Sequence, residues 1–239
     1  MPELTVVSFN THAGVGPRRF DRDEYDLVGV LRAFDADVIV LQESWTPDEG
    51  DSAVDKAAAE LGAEVHELPT GRAVRQPWPH IARSGAERGT VGVAVVTRFP
   101  AERVGVLPLG PTFADPSPRR GALHLRLDVE GTPLDLVALH LTSRLPHGPL
   151  QQLWRLRHQL PPRGRPAVVA GDHNLWGPGV LALLPGWRRA VRGRTWPAHR
   201  PHSQIDHILV RPEIEVLEGE VLPPVGSDHR PVRARLRLG

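Results

Sequence analysis

The sequence contains no cysteine, which excludes disulfides and any thiolate metal site. This fits a reducing compartment, and a cytoplasmic location is the expectation. Lysine is nearly as scarce. Lys56 is the only one, so the 29 basic residues are almost all arginine, and 25 prolines accompany them. High genomic GC content produces that bias, so the arginines are not by themselves a nucleic-acid signature. Set against 28 acids they leave a net charge of +1, which argues against a general polyanion binder. No apolar run approaches membrane-spanning length, and Met1-Pro2-Glu3-Leu4 opens no basic-then-apolar leader. Neither integral membrane association nor a secretory signal is expected. There is no internal repeat, low-complexity tail or linker, so residues 1–239 are expected to form a single domain and a monomer. With 40% hydrophobic and 24% charged residues, the composition is that of a soluble chain able to bury a substantial core.

What is present is an alternation of short apolar runs and amphipathic stretches. Leu4–Phe9 reads as a strand ending at Asn10-Thr11-His12. Residues 24–34 read as a helix, with Leu27, Val30, Leu31 and Phe34 on one face and Asp21 as its cap. Asp37–Leu41 is a second strand, ending at Gln42-Glu43, and Ser52–Leu61 a second helix closed by Gly62. Leu68–Thr90, rich in Pro, Gly and Arg and holding Trp78 and His80, reads as a long irregular segment. Val91–Thr97, Glu102–Leu107, Ala122–Val129 and Pro133–His140 read as one antiparallel meander, with His124, Arg126 and Asp128 facing outward. A helix at Gly148–Leu160 follows. Then come the strand of Pro166–Asn174 (P-A-V-V-A-G-D-H-N), a short helix near Val180–Leu184, and an acid-free arginine loop at Gly186–Gln204. Strands at Ile205–Val210, Glu213–Val221 and Val232–Leu238 close the chain. Strand–helix–strand–helix order implies an α/β layer structure.

The chemistry lies at the strand ends. Asn10, Glu43, His140, Asp172 with Asn174, Asp206, and Asp228 with His229 all sit at or beside one, and such ends converge on a rim when their strands are neighbours. Asp172 and Asn174 fit either a cation or phosphate site or a polar turn cap. Glu43, Asp172, Asp206 and Asp228 cannot share a rim unless a cation or protonation relieves their repulsion. A hard ion such as Mg²⁺ suits carboxylates with open water positions, and it can polarise a phosphoryl oxygen. His229 can take a proton from water, with Asp206 fixing its tautomer. Competing signatures are missing: there is no HExxH, no phosphate loop ending Gly-Lys-Ser/Thr and no Gly-x-Ser-x-Gly elbow.

The ordered set F-N-T-H, L-Q-E-S, A-L-H-L, A-G-D-H-N, Q-I-D-H-I-L-V and G-S-D-H-R-P-V resembles the endonuclease/exonuclease/phosphatase, or DNase I-like, superfamily of metal-dependent phosphoesterases. The likeness runs from Val6 to Val232. N-T-H-A-G, and T-W-P followed by P-H-S-Q-I-D-H, are similar to a bacterial branch whose substrates vary widely. The resemblance implies an α/β (α+β) fold: a four-layer α/β/β/α sandwich of two mixed sheets face to face, flanked by helices. It implies Glu43 as principal Mg²⁺ (or Mn²⁺) ligand, assisted by Asn10 and Asp228. Asp172 and Asn174 would position water and phosphate, His140 would bind or protonate the phosphoryl group, and Asp206 with His229 would form an acid–imidazole pair. Either Asp172 or His229 is the base.

Three departures stand out. His173 occupies a position usually aromatic or aliphatic, and alternation points it away from the site, toward packing. The acid that orients the histidine matched by His140 is missing near Arg120-Gly121. His12 stands where some members place an acidic ligand, open to a phosphate or metal role or to solvent. The arginine loop, with Arg194 and Trp196, is the first place to look for substrate contacts, and Trp78, Trp187 and Trp196 could form an apolar rim. His199 and His202 read as surface residues, His207 as structural. The expected function is a Mg²⁺/Mn²⁺-dependent phosphoester hydrolase, most readily a phosphodiesterase, with nucleic acid, lipid or small phosphoesters as candidate substrates. The alternatives are a phosphomonoesterase of the inositol-phosphatase kind and a non-catalytic binding module.

Overall fold

The computed structural model describes residues 1–15, 25–75, 87–112, 115, 120–144 and 147–239. In chain order the elements are β1 (Glu3–Asn10), α1 (Leu27–Ala33), β2 (Val38–Pro47), α2 (Ala53–Leu61), β3 (Glu64–Arg75), β4 (Glu87–Thr97) and β5 (Ala101–Pro108). There follow β6 (Gly121–Val129), β7 (Thr132–His140), α3 (His147–Leu156), β8 (Ala167–Asp172) and α4 (Gly177–Leu183). The chain ends with β9 (Arg188–Arg189), β10 (Asp206–Val210), β11 (Ile214–Val221) and β12 (Val232–Leu238). One six-stranded sheet runs β11-β12-β1-β2-β4-β3 and the other β5-β6-β7-β8-β10-β9.

The layers follow from which residues the strands bury. Val6, Val38 and Val40 face Leu125, Leu136, Val168 and Ile208 across the space between the sheets. The alternate residues Val7, Phe9, Ile39 and Leu41 turn outward under α1 and α2, while Val137, Leu139, Val169 and Leu209 do the same under α3 and α4. Both faces of each central strand are therefore apolar, which is why these strands read as continuous Val/Ile/Leu runs. The result is the four-layer α/β/β/α sandwich. Capping fixes α2: the Ser52 hydroxyl accepts from the Asp55 N–H at 3.0 Å and the Asp55 carboxylate accepts from the Ser52 N–H at 3.0 Å, with Gly62 left-handed at the other end. Asp26 caps α1 by accepting from Gly29 N–H; the expected cap, Asp21, lies outside the described residues.

Three expectations change. Leu68–Thr90 is not an irregular segment: most of it is the β3–β4 hairpin, and only 76–86, with Trp78 and His80, fall outside the described residues. The β3 strand lies at the sheet edge, where Pro69 sits at a register shift opposite Gly92, a place that tolerates a missing N–H. The expected meander is split, because β4 pairs with β2 and β3 whereas β5, β6 and β7 begin the second sheet. His124 does not face solvent. It is buried against Asp135 with its Nε2 2.9 Å from the carboxylate, and Arg126 shares that acid.

Each sheet holds one parallel pair, β1 with β2 and β7 with β8, and the carboxyl ends of such strands are where open α/β sheets bind ligands. Gly171 makes one of these ends possible. Its φ is +147° and a Cβ there would run into the Leu139 carbonyl oxygen. Gly171→Ala is therefore expected to destabilise the fold by at least about 2 kcal/mol. A thermal melt within 1 °C of the parent (about 2–4 °C is expected per kcal/mol) would contradict this.

Candidate active site

The first sheet supplies Asn10 at the end of β1 and Glu43 at an irregularity in β2. Gln42 and Ser44 pair with the consecutive residues Val93 and Gly92, leaving Glu43 unpaired with φ +50°. Such a bulge re-aims one side chain at a sheet rim. Thr11 holds it there: its hydroxyl donates to the Glu43 and Gln42 carbonyls at 2.9 and 3.2 Å, and its N–H donates to the Gln42 carbonyl at 2.8 Å. The Tyr25 hydroxyl donates to the Thr11 carbonyl at 2.7 Å.

The second sheet places three functional groups in register on adjacent strands, His140 on β7, Asp172 on β8 and Asp206 on β10. Register partners project from the same face. Asp172 Oδ1 accepts from the Asn174 N–H at 2.8 Å and Oδ2 from Asn10 Nδ2 at 3.2 Å. Asn10 Nδ2 also lies 3.4 Å from Glu43 Oε1, so one amide ties the two sheets together at the rim. Asn174 reaches the same side through a left-handed turn (φ +47°) in which its Nδ2 donates to the Leu141 carbonyl.

His229 arrives on the turn before β12. Ser227 anchors that turn, donating from Oγ to the Asn10 carbonyl at 2.7 Å and accepting from the His229 N–H at 3.2 Å. His229 Nδ1 is 3.0 and 3.1 Å from the two Asp206 oxygens, and its Nε2 is 3.8 Å from Asp172 Oδ2. His140 Nε2 lies 3.7 Å from the same Asp172 oxygen and 3.9 Å from Glu43 Oε1. Asn10, Asp172, Asp206 and His229 are all buried.

Burial and neighbouring charge set the protonation of these groups. Burial, then the Asp206 charge, pushes Asp172 up to about 7. Burial would lower the His229 imidazole, but Asp206 and then Asp172 hold it up to about 10. Asp206 is lowered despite its burial, because His229 faces it. Burial pushes His140 down to about 4, with Glu43 opposing and Arg120 and His229 reinforcing. At neutral pH the pocket thus holds a neutral His140, a cationic His229 and an acid, Asp172, held well above its ordinary value.

These groups floor a cleft of about 880 Å³ that His12, Glu43, Asn174, Trp196 and Asp228 also line. Among the sequence candidates Asn10 and Asp206 lie buried beneath the cleft, and Arg194 stands apart from it. That arginine is exposed and does not line the cleft; Thr195 is buried, bonded to the Ser203 carbonyl, and the turn around it presents Trp196 instead. His202, expected as a surface residue, is exposed but stands on the rim, edge-on to Trp196 at 5.3 Å. Trp187 is no rim residue, being buried beneath the Arg211 guanidinium. His173 and His207 pack edge to face behind the site at 5.1 Å. Sequence reasoning missed Arg120, which lines the cleft, is held by Asp115 at 2.7 Å and donates to the His140 carbonyl at 3.1 Å. Nothing local marks it, whereas Ser227 stood in plain view within G-S-D-H.

Among the described residues, two groups could hold a cation. Ligand atoms of Asp172, Asp206 and His229 lie within 4.8 Å of one another, but this trio is buried and both Asp206 oxygens already face His229 Nδ1. A hard divalent ion keeps several waters and prefers oxygen, so Glu43 with Asp228 fits better. Both line the cleft, both raise the Tyr25 phenol above its ordinary value after burial does so, and neither has an Arg or Lys partner among the described residues.

A family model described as the Endonuclease/Exonuclease/phosphatase family matches residues 7–229. Among solved structures, an endonuclease/exonuclease/phosphatase from Beutenbergia cavernae DSM 12333 superposes with a TM-score of 0.75 at 24% identity, covering 100% of this chain and 72% of that one. The human Nocturnin catalytic domain with bound sulfate gives 0.70 at 16% identity, covering 100% and 95%. The mannosyl-6-phosphatase of Bacteroides thetaiotaomicron VPI-5482 gives 0.68 at 16%, covering 98% and 100%. At these identities the likeness is one of fold. No curated protein matches in sequence.

The raised Asp172 has a consequence for stability. A carboxylate whose folded value lies above its ordinary one contributes stability that is present at low pH and lost as pH rises toward the folded value, here between about 4 and 7. In chelator, Asp172→Asn should therefore gain melting temperature relative to the parent as pH goes from 5 to 8. A difference that does not change with pH would show that Asp172 is not held protonated.

Proposed function

Because the chain belongs to the endonuclease/exonuclease/phosphatase family, we propose that it is a Mg²⁺- or Mn²⁺-dependent hydrolase of phosphodiesters, working as one unit over residues 1–239. The observation that carries this reading is the line Asp206–His229–Asp172, with Asn10 joining Asp172 to Glu43 across the sheets. Glu43 and Asp228, with the Asn10 amide beside them, would hold the ion. When bound, it supplies positive charge that polarises the phosphoryl oxygen and stabilises the leaving alkoxide.

The chain's own groups do the rest. Asp172, raised toward neutrality, accepts the proton of the attacking water, since a base near the working pH is the most effective one. His229, kept cationic by Asp206, lies beside Asp172 and stabilises the negative charge that grows on phosphorus. The raised Asp172 and the cationic His229 support the reading of Asp172 as the base. His140, neutral, donates from Nε2 to a non-bridging oxygen, and Asn174 orients the water. Arg120 is the one arginine among the described residues that line the cleft, and a single permanent cation beside the ion matches the monoanion of a diester better than a dianionic monoester.

Purified protein should hydrolyse bis-p-nitrophenyl phosphate with Mg²⁺ or Mn²⁺, stop in EDTA, and recover on metal addition. Activity persisting in chelator would remove the metal from the reading, and preference for p-nitrophenyl phosphate would move it to monoesters. Asp172→Ala and His229→Ala should each lower turnover by about 10³-fold or more while the protein stays folded. Near-normal turnover in either would refute the assigned roles.

A further inference from the structure

The near-neutral composition conceals a one-sided distribution. Between Asp135 and Asp206 the only acid is Asp172, against ten arginines. This segment builds α3, α4 and the loop carrying Trp196, and its Leu150, Leu175, Trp176 and Trp196 line one side of the cleft. Its exposed Arg144, Arg157, Arg192, Arg194 and Arg200 form no ion pair with any described residue. On the opposite sheet Arg72, Arg233, Arg235 and Arg237 are all matched to Glu or Asp.

The same wall exposes large apolar side chains. Leu150 is 36% exposed, Trp154 54% and Trp176 66%. On α3, Leu150 and Trp154 are four residues apart and Arg157 follows three later, so the three share a face; the Arg157 N–H still donates to the Leu153 carbonyl in helical fashion. The buried side of this helix is already supplied by Leu153 and Leu156. An outer face that is apolar as well, flanked by unmatched cations, is the mark of a helix that lies on something. Leu150 and Trp176 both line the cleft mouth, so the patch is continuous with the opening.

We propose that the α3–α4 face docks on an anionic phospholipid surface, with Trp154, Leu150 and Trp176 entering the interface and Arg144 and Arg157 meeting the headgroups. Tryptophan prefers that boundary, and basic amphipathic helices bind there through apolar area plus charge. The patch favours lipid over nucleic acid for two reasons. A leucine offers no stacking platform for bases, and Arg120, held by Asp115, is the only arginine or lysine among the described residues that line the cleft itself, too few for a phosphate chain. Association would be peripheral, since no helix among the described residues is long and apolar enough to cross a membrane. The proposal does not rest on the hydrolase reading, because docking is measured without turnover.

The test is co-sedimentation with vesicles of phosphatidylcholine alone or with 30% phosphatidylglycerol (about a third of the lipid anionic), at low and high salt, with a DNA oligonucleotide bound in parallel. Binding to the anionic vesicles, weakened by salt and reduced about tenfold or more in Trp154→Ser/Arg157→Glu, is the expected result. That double variant should keep the parent's melting temperature and its rate on bis-p-nitrophenyl phosphate. Equal binding by parent and variant, no preference for anionic vesicles, or retention of DNA without vesicles would each overturn the proposal.

Discussion

Two carboxylates, Asp172 and Asp206, are buried side by side on neighbouring strands, and the region around the site is arranged to make that tolerable. Buried like charges repel strongly unless a proton or a cation intervenes. Here His229 stands between them, which is why the turn carrying it must be pinned, and Ser227 pins it to the end of β1. Asn10, at that same strand end, then reaches back to Asp172. The constraint thus couples the first strand, a central strand of the second sheet and the approach to the last strand. Sequence-distant elements are held at one point by electrostatic necessity as much as by apolar packing.

Much of this is legible in the sequence because a strand buried on both faces announces itself. Runs such as V-I-V-L and A-V-V-A stop where polar residues begin, so the rim residues Asn10, His140, Asp172 and Asp206 can be picked out before any geometry is known. The sequence is less informative where the backbone departs from regularity. Nothing in L-Q-E-S-W tells that Glu43 sits in a bulge, since the left-handed turn there falls on a residue type that seldom adopts it. The β3–β4 hairpin is hidden by Pro69 and Gly71, which argue against a strand unless the strand is known to be an edge. Periodicity also cannot assign a strand to a sheet, so β4 reads as continuous with β5. Arg120 escapes for another reason, because its position depends on Asp115 and a carbonyl twenty residues away.

Charge follows the same division. Summed over the chain, acids and bases cancel, and the sum suggests indifference to polyanions. Distributed over the fold, they separate. The β11–β12–β1 edge carries a lattice of matched Arg and Glu side chains, while the segments around α3 and α4 carry arginines with no acid but the buried Asp172. Exposed matched pairs contribute little to stability, but they leave a neutral surface there and concentrate the uncompensated charge on one wall.

Three of the site's groups stand on strands fixed by hydrogen-bond register, whereas the cleft's wall is contributed by one crossover helix, α3, and by the loops carrying Trp176 and Trp196. Those two parts answer to different demands. Register cannot slip by one residue without inverting a whole strand, so the spacing of His140, Asp172 and Asp206 is effectively quantised. The wall has no such rule. Its cleft-facing residues, Leu150, Trp176 and Trp196 among them, can therefore differ in polarity, altering what is admitted while the reactive spacing underneath stays unchanged.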